Sequence, residues 1–299
     1  MEQKIIFFIG KGGVGKSTVS ALMALSHSNL QKKTLLVSLD PAHNQQDLFQ
    51  NKFSEKACEI KPNLYIIEID TDKRIKEYLD KTSQKIQKNY NYQNAFSLKN
   101  YFKVLKHSPG IEEYAILQAF VDITSYHKDK ELIIFDMPPT ALTLRFFSLP
   151  ETSMIWLNQL TELRNAIHKK KEIISKVKFG RKELETDKVK NHLTELMQQH
   201  MLVNKIFLSE NTDINIVLNN DQLSIFESIR IHKKLKEINL KTTHFILNKV
   251  STKEILTEVN QLEQKPLIIL PDHNMQLIGL DELSKFIQKE DISKQLLKL

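Results

Sequence analysis

Cys58 is the one cysteine in the 299-residue sequence. A disulfide within the chain is thereby excluded, and so is a thiolate cluster for zinc, an iron–sulfur centre or arsenite. Long apolar runs are missing as well: none reaches the ~18–20 residues that a membrane-spanning helix needs. The first apolar run, Ile5 to Ile9, ends in glycines and not in a small-residue cleavage site, so it reads as a buried strand and not as a secretion signal. Neither an internal repeat nor a low-complexity linker is present. What is there is 41% hydrophobic and 26% charged, the profile of a soluble globular protein, with the cytoplasm as the expected compartment. The length suits one large α/β domain, or one domain carrying a substantial insertion.

The net charge of +7 is concentrated: residues 164–190 hold ten Lys/Arg against four Asp/Glu. Such a segment can meet nucleic acid, anionic lipid or an acidic partner, or can simply be a solvated helical face. Short, β-branched apolar runs recur along the chain at Lys4–Ile9, Thr34–Leu39, Leu64–Ile69, Glu131–Phe135, Ile214–Leu218, Thr243–Leu247 and Pro266–Ile269. Each is followed by polar or turn residues, and helical stretches such as Ser17–Ser28 lie between them. This alternation predicts a doubly wound, mostly parallel α/β sheet. Two intervals break it. Residues 72–127 carry helical spacing (Ile116, Phe120, Ile123), and 151–210 carry a helix face of Trp156, Leu160, Leu163 and Ile167. Both read as insertions that pack into one helical subdomain of a domain spanning 1–299, or else as ordinary long crossover helices, with Gly180 as a hinge or a disordered tip.

The residues that carry chemistry are Gly10-Lys11-Gly12-Gly13-Val14-Gly15-Lys16-Ser17-Thr18. They contain Gly-x-x-x-x-Gly-Lys-Ser directly after a strand and before a helix, the context in which this pattern is a P-loop. Glycines let the backbone curl so that Gly12, Gly13, Val14 and Gly15 point N–H groups at phosphate oxygens, helped by the positive end of the helix. Lys16 is expected on the β- and γ-phosphates of ATP, the Ser17 hydroxyl on Mg²⁺, and Thr18 on the α-phosphate. Asp40 ends the next strand in Asp40-Pro41-Ala42-His43-Asn44, where a carboxylate can orient water for in-line attack. Asp136 ends an apolar strand in the Walker B manner, where it holds Mg²⁺ through water.

Lys11, a second lysine early in the loop, resembles the deviant Walker A group; that likeness implies a lysine that crosses a homodimer interface to the partner's nucleotide. Asp40–Asn44 further resembles the switch I segment of the ArsA-type anion-transporting ATPases, which include the arsenite-pump ATPase and the ATPase that targets tail-anchored membrane proteins. Asp136-Met137-Pro138-Pro139-Thr140-Ala141-Leu142-Thr143-Leu144-Arg145 resembles that family's switch II, and Ser108-Pro109-Gly110-Ile111-Glu112-Glu113 its P-G-x-x-E segment. The likeness implies an adenine contact at Asn248 and a covering loop at Pro271. It also implies a dimer with ATP at the interface, and helical subdomains that open and close with nucleotide state. Ala141-Leu142 departs from the family's Gly-His, and neither a zinc clasp nor an arsenite cysteine triad can be built.

The expected function is thus a Mg²⁺-dependent ATP hydrolase whose switching moves or remodels a protein client, possible clients including membrane-associated ones, without stable nucleic-acid binding. Two alternatives stay open: a ParA/MinD-like positioning scaffold on DNA or membrane, and the energiser of an anion or metalloid efflux pump. For the first, Ile292–Leu299 reads either as a packed last helix or as a short basic amphipathic anchor.

Overall fold

The computed structural model describes residues 3–42, 44–89, 108, 110–179, 187–251, 258–259, 262, 266–273 and 277–297. His43, Pro109 and Gly180, singled out above, lie outside the described residues, as do the last two of the C-terminal segment. Compactness divides the chain into two units: residues 1–146 with 210–299, and residues 147–209.

The first unit is built on an eight-stranded sheet. In chain order it contains β1 (Lys4–Ile9), α1 (Lys16–Asn29), β2 (Thr34–Ser38), α2 (Asn44–Phe49), β3 (Cys58–Lys61), β4 (Leu64–Glu68), α3 (Thr71–Asn89), α4 (Ile111–Tyr126) and β5 (Leu132–Asp136). After the first turns of α5 (Thr140–Phe179), and the return of the chain, come β6 (Thr212–Asn219), α7 (Gln222–Glu237), β7 (His244–Val250), β8 (Leu267–Pro271), α8 (Leu280–Ile287) and α9 (Glu290–Leu296). The sheet order is β3-β4-β2-β5-β1-β6-β7-β8, parallel throughout except for β3 on β4. The expected doubly wound sheet is therefore present. The strand that the sequence pattern misses is β3, whose residues are only half-buried at an antiparallel edge.

The central strands are apolar on both faces because helices cover both. On one face Phe7 and Phe135 stack with ring centroids 5.2 Å apart, and Phe120 of α4 and Phe146 of α5 close over them at 5.1 to 6.3 Å. On the other face lies α1, buried from Val19 to Ser28 and packed against α8 and α9. Ile292 and Leu296 of α9 belong to this core. The apolar side of the last helix is thus turned inward and not presented as a membrane anchor. Among the described residues no helix is long and apolar enough to cross a membrane.

The 72–127 interval, expected together with 151–210 in one helical subdomain, groups with the sheet. There α3 and α4 lie side by side, with Tyr78 and Tyr114 at 4.8 Å and Arg74 Nη1 2.6 Å from Asp122 Oδ2. The second unit contains the remainder of α5 and α6 (Lys188–Phe207). Within it Phe147 meets Phe207 edge-on at 5.1 Å, and Arg164 pairs with Asp187, the N-cap of α6, at 2.9 Å. The Trp156/Leu160/Leu163/Ile167 stripe forms on one helix face as the spacing requires, but it faces solvent: Trp156 is 67% and Leu163 57% exposed.

His27, near the end of α1, is 6% exposed and neither ring nitrogen has a hydrogen-bond partner among the described residues. Burial, with Lys32 and Lys4 adding repulsion, lowers its pKa from 6.5 to about 4. The unfolded chain then binds a proton that the folded chain refuses, so stability is complete above about pH 6.5 and is lost as pH falls towards 4. We expect up to about 3 kcal/mol of acid destabilisation from this one site. Urea unfolding at a series of pH values should show it, and His27→Leu should flatten the slope in that window.

Candidate active site

The site lies beyond the carboxyl ends of β1, β2, β5 and β7, on either side of the point where the chain reverses its direction of travel across the sheet. The loop between β1 and α1 needs glycine at two points for separate reasons. Gly10 has φ +148°, and a Cβ there would come within 2.3 Å of the Val217 carbonyl oxygen on β6. Gly15 has φ +93°, caps α1, and passes so close to β7 that a Cβ would meet Asn248 Nδ2 at 2.3 Å. The loop is thereby pressed against β6 and β7.

Lys16 is 5% exposed, and its ammonium donates to the Lys11 carbonyl at 3.3 Å. The loop's own backbone thus holds the cation at the mouth of the cradle. Lys11 is half-exposed, while Gly12 and Gly13 are open to solvent. Asn248 Nδ2 donates to the Val14 carbonyl at 2.8 Å, so the residue expected at adenine is engaged with the phosphate loop itself. Beside it Lys249, in the left-handed region at φ 56°, reaches the Gly13 carbonyl at 3.2 Å. Neither tie is legible in the sequence, because both depend on β7 running alongside the loop. Pro271 is exposed at the end of the edge strand β8, paired in register with Val250.

Asp136 is fully buried at the tip of β5. Burial is the largest influence and pushes its pKa up to about 6, against hydrogen bonds from Ser17 and Gln45 and the charge of Lys16. Asp40 pushes in the same direction as burial, so the two strand-end aspartates and Lys16 lie within electrostatic reach of one another. Asp40 is 6% exposed, and its Oδ1 accepts the Ala42 backbone N–H at 3.0 Å, which fixes the carboxylate in a local turn. Asp136 Oδ1 is a buried acceptor with no hydrogen-bond partner among the described residues. A hydrated divalent cation next to the Ser17 hydroxyl would satisfy it, so the residues present fit Mg²⁺.

The segment after Asp136 is tied down in three places. Thr140 donates to Glu227 Oε1 on α7 at 2.7 Å, Thr143 to the Pro138 carbonyl at 2.6 Å, and Arg145 Nη1 lies 2.7 Å from Glu113 Oε1 on α4. Glu113 is 5% exposed while Arg145 is 63% exposed, so the last contact is open to solvent on the arginine side. Sequence reading recognised the segments carrying Glu113 and Arg145 separately; the fold makes them partners.

The contact at Gly15 yields a test. Gly15→Ala forces both an unfavourable φ and an overlap with Asn248, and should weaken nucleotide affinity about ten- to a hundredfold. Adding Asn248→Ala removes the overlap but not the backbone strain. In a fluorescent-nucleotide titration the double variant should therefore bind more tightly than Gly15→Ala alone.

Comparison with known proteins agrees with this geometry. Residues 3–287 match the family model described as anion-transporting ATPase. The chain is 26% identical over 294 residues to a protein of Aquifex aeolicus provisionally named arsenical pump-driving ATPase 2, covering 97% of this chain and 94% of that protein. It is 30% identical over 317 residues to the ATPase GET3 of Komagataella phaffii, with 95% and 88% covered. An ATPase ASNA1 homolog of Entamoeba histolytica is 29% identical over 255 residues, with 83% and 76% covered. With the phosphate loop and the two strand-end aspartates in one crevice, and with likeness along nearly its whole length, this chain belongs to the anion-transporting ATPase family and is an ATP hydrolase.

Proposed function

We propose that this ATPase works as a Mg²⁺-dependent homodimer, and that ATP binding and hydrolysis reset helical segments that hold a protein client. The observation that carries the catalytic half is the convergence of Lys16, Ser17, Asp40 and Asp136 at the loop between β1 and α1. The loop N–H groups and Lys16 bind and orient the β- and γ-phosphates. Ser17 and Asp136 would hold Mg²⁺, which would supply charge neutralisation for the phosphates. Asp40 uses the oxygen not committed to Ala42 to orient a water in line with the γ-phosphorus. The water oxygen forms the new P–O bond as the bond to the β-phosphate oxygen breaks, giving ADP and phosphate, and the water's proton leaves with the phosphate or solvent. Lys11, half-exposed at the loop, is the residue for the partner's nucleotide, so closure of the dimer and full charge compensation coincide.

The client half rests on the apolar stripe of α5. Ile155, Trp156, Leu160 and Leu163 are each more than 40% exposed within one helix face and its flank. A contiguous apolar surface of this kind suits a helical or unfolded client better than nucleic acid, despite the basic residues that follow. The name of the Aquifex relative supports a second reading, an efflux-pump energiser. A lone cysteine cannot supply the thiolate cluster that would capture arsenite, so we expect arsenite to leave the hydrolysis rate unchanged.

Three substitutions separate the roles. Lys16→Ala should abolish nucleotide binding. Asp40→Asn should bind ATP with near-normal affinity but release phosphate at least about a hundredfold more slowly. Lys11→Ala should keep ATP affinity within about threefold (about 0.6 kcal/mol) yet stay monomeric with ATP in analytical ultracentrifugation. A Lys11→Ala protein that hydrolyses ATP at the normal rate as a monomer would refute the shared site.

A further inference from the structure

Gln45 directly follows the Asp40–Asn44 segment and was not flagged by any motif. It lies in α2, and its side chain is 0% exposed. Gln45 Nε2 donates to Asp136 Oδ2 at 3.0 Å, and it stands 3.2 Å from the Ser17 carbonyl and 3.3 Å from the Ser20 hydroxyl. One carboxamide therefore touches three elements: α2, the first turn of α1 and the end of β5. Its other end, Gln45 Oε1, is a buried acceptor without a hydrogen-bond partner among the described residues, as is Asp136 Oδ1. The next residue, Gln46, seats the other side of α2: both its backbone N–H and its side chain donate to Glu68, the 2%-exposed end of β4. Adjacent glutamines thus fasten α2 between the carboxylates that end β4 and β5.

The choice of side chain at 45 has chemical consequences. A carboxamide donates to a carboxylate without neutralising it, so Asp136 keeps its charge for a cation. A lysine would compete with that cation. An apolar residue would remove the amide donor from Asp136 Oδ2. The unmatched oxygens of Gln45 and Asp136 are acceptors, the kind of group that the water shell of a hard divalent cation donates to. Asp40 lies five residues before Gln45, on the connection from β2 to α2.

We propose that Gln45 is the positioning residue that couples the water-orienting segment to the metal: its carboxamide fixes the Asp136 carboxylate in place for Mg²⁺ only while α2 is seated. This rests on the Mg²⁺-dependent reading above. It makes metal affinity and placement of Asp40 two outcomes of one hydrogen bond, since a shift of α2 that withdraws Asp40 also releases Asp136.

The test is an equilibrium one and needs no turnover. Gln45→Met keeps length and approximate volume while removing donor and acceptor. Binding of a fluorescent ATP analogue would be measured against free Mg²⁺, and again in EDTA. We expect the half-saturating Mg²⁺ concentration to rise about tenfold, as for loss of one hydrogen bond to a charged group, with affinity in EDTA changed less than about twofold. Gln45→Asn, one methylene shorter, should shift it in the same direction, which covers the case that Gln45→Met folds poorly. In an Asp136→Asn background Gln45→Met should add nothing. Ser20→Ala, which removes a neighbour but not the bond to Asp136, should leave the Mg²⁺ requirement within about twofold. The inference falls if both Gln45 variants keep the wild-type Mg²⁺ requirement, if affinity in EDTA falls in parallel, or if the shift persists without the Asp136 carboxylate. Wild-type binding indifferent to Mg²⁺ would instead remove the metal reading itself.

Discussion

The structure turns on one buried carboxylate. Asp136 has no exposure to water, and an isolated charge in that position would be costly. It is tolerable because hydrogen bonds from Ser17 and Gln45 and the field of Lys16 all converge on it. These partners come from α1 and α2, which are joined to the sheet at β1 and β2. The backbone participates too: Leu39 N–H donates to the Asp136 carbonyl at 2.9 Å, and Met137 N–H to the Phe8 carbonyl at 3.1 Å. The strand tips are thereby held together around the charge. Desolvation still pushes its pKa up to about 6, so the arrangement remains electrostatically unfinished until a cation comes near.

The loop owes its shape to the same sheet. Two glycines let it press against Val217 and Asn248, and Asn248 and Lys249 return hydrogen bonds to the Val14 and Gly13 carbonyls. These bonds restrain the Val14 and Gly13 peptide groups within the loop. That preorganisation is what lets a short loop act as an anion site.

Much of this was legible in the sequence, for a definable reason. Strands buried on both faces read as continuous apolar runs, and β1, β2, β4, β5, β6 and β7 did so within a residue or three of their ends, as did the apolar but half-exposed edge strand β8. The phosphate loop was legible because its chemistry requires fixed residue types at fixed spacing. The edge strand β3 was not, since a half-buried four-residue strand carries little apolar signal. Gln45 was not legible either, because an uncharged amide gains its meaning only from what surrounds it. The helical intervals misled in a different way. Periodicity correctly placed Trp156, Leu160, Leu163 and Ile167 on one face, but it does not say whether that face meets protein or water.

One helix, α5, carries both the anchored switch segment and the first part of the second unit. Its opening turns are fixed to α7 by Thr140 and to α4 by Arg145. Ala141 and Leu142, which sit there in place of Gly-His, have no side-chain donor, so contact of that stretch with phosphate would run through the main chain. Further along, Pro150 lies inside the helix and cannot donate to the Phe146 carbonyl. The division between the two units falls at that same residue, Phe146. A helix is held straight by its ladder of hydrogen bonds, and α5 lacks a rung at Pro150, beyond the turns that Thr140 and Arg145 tie to α7 and α4.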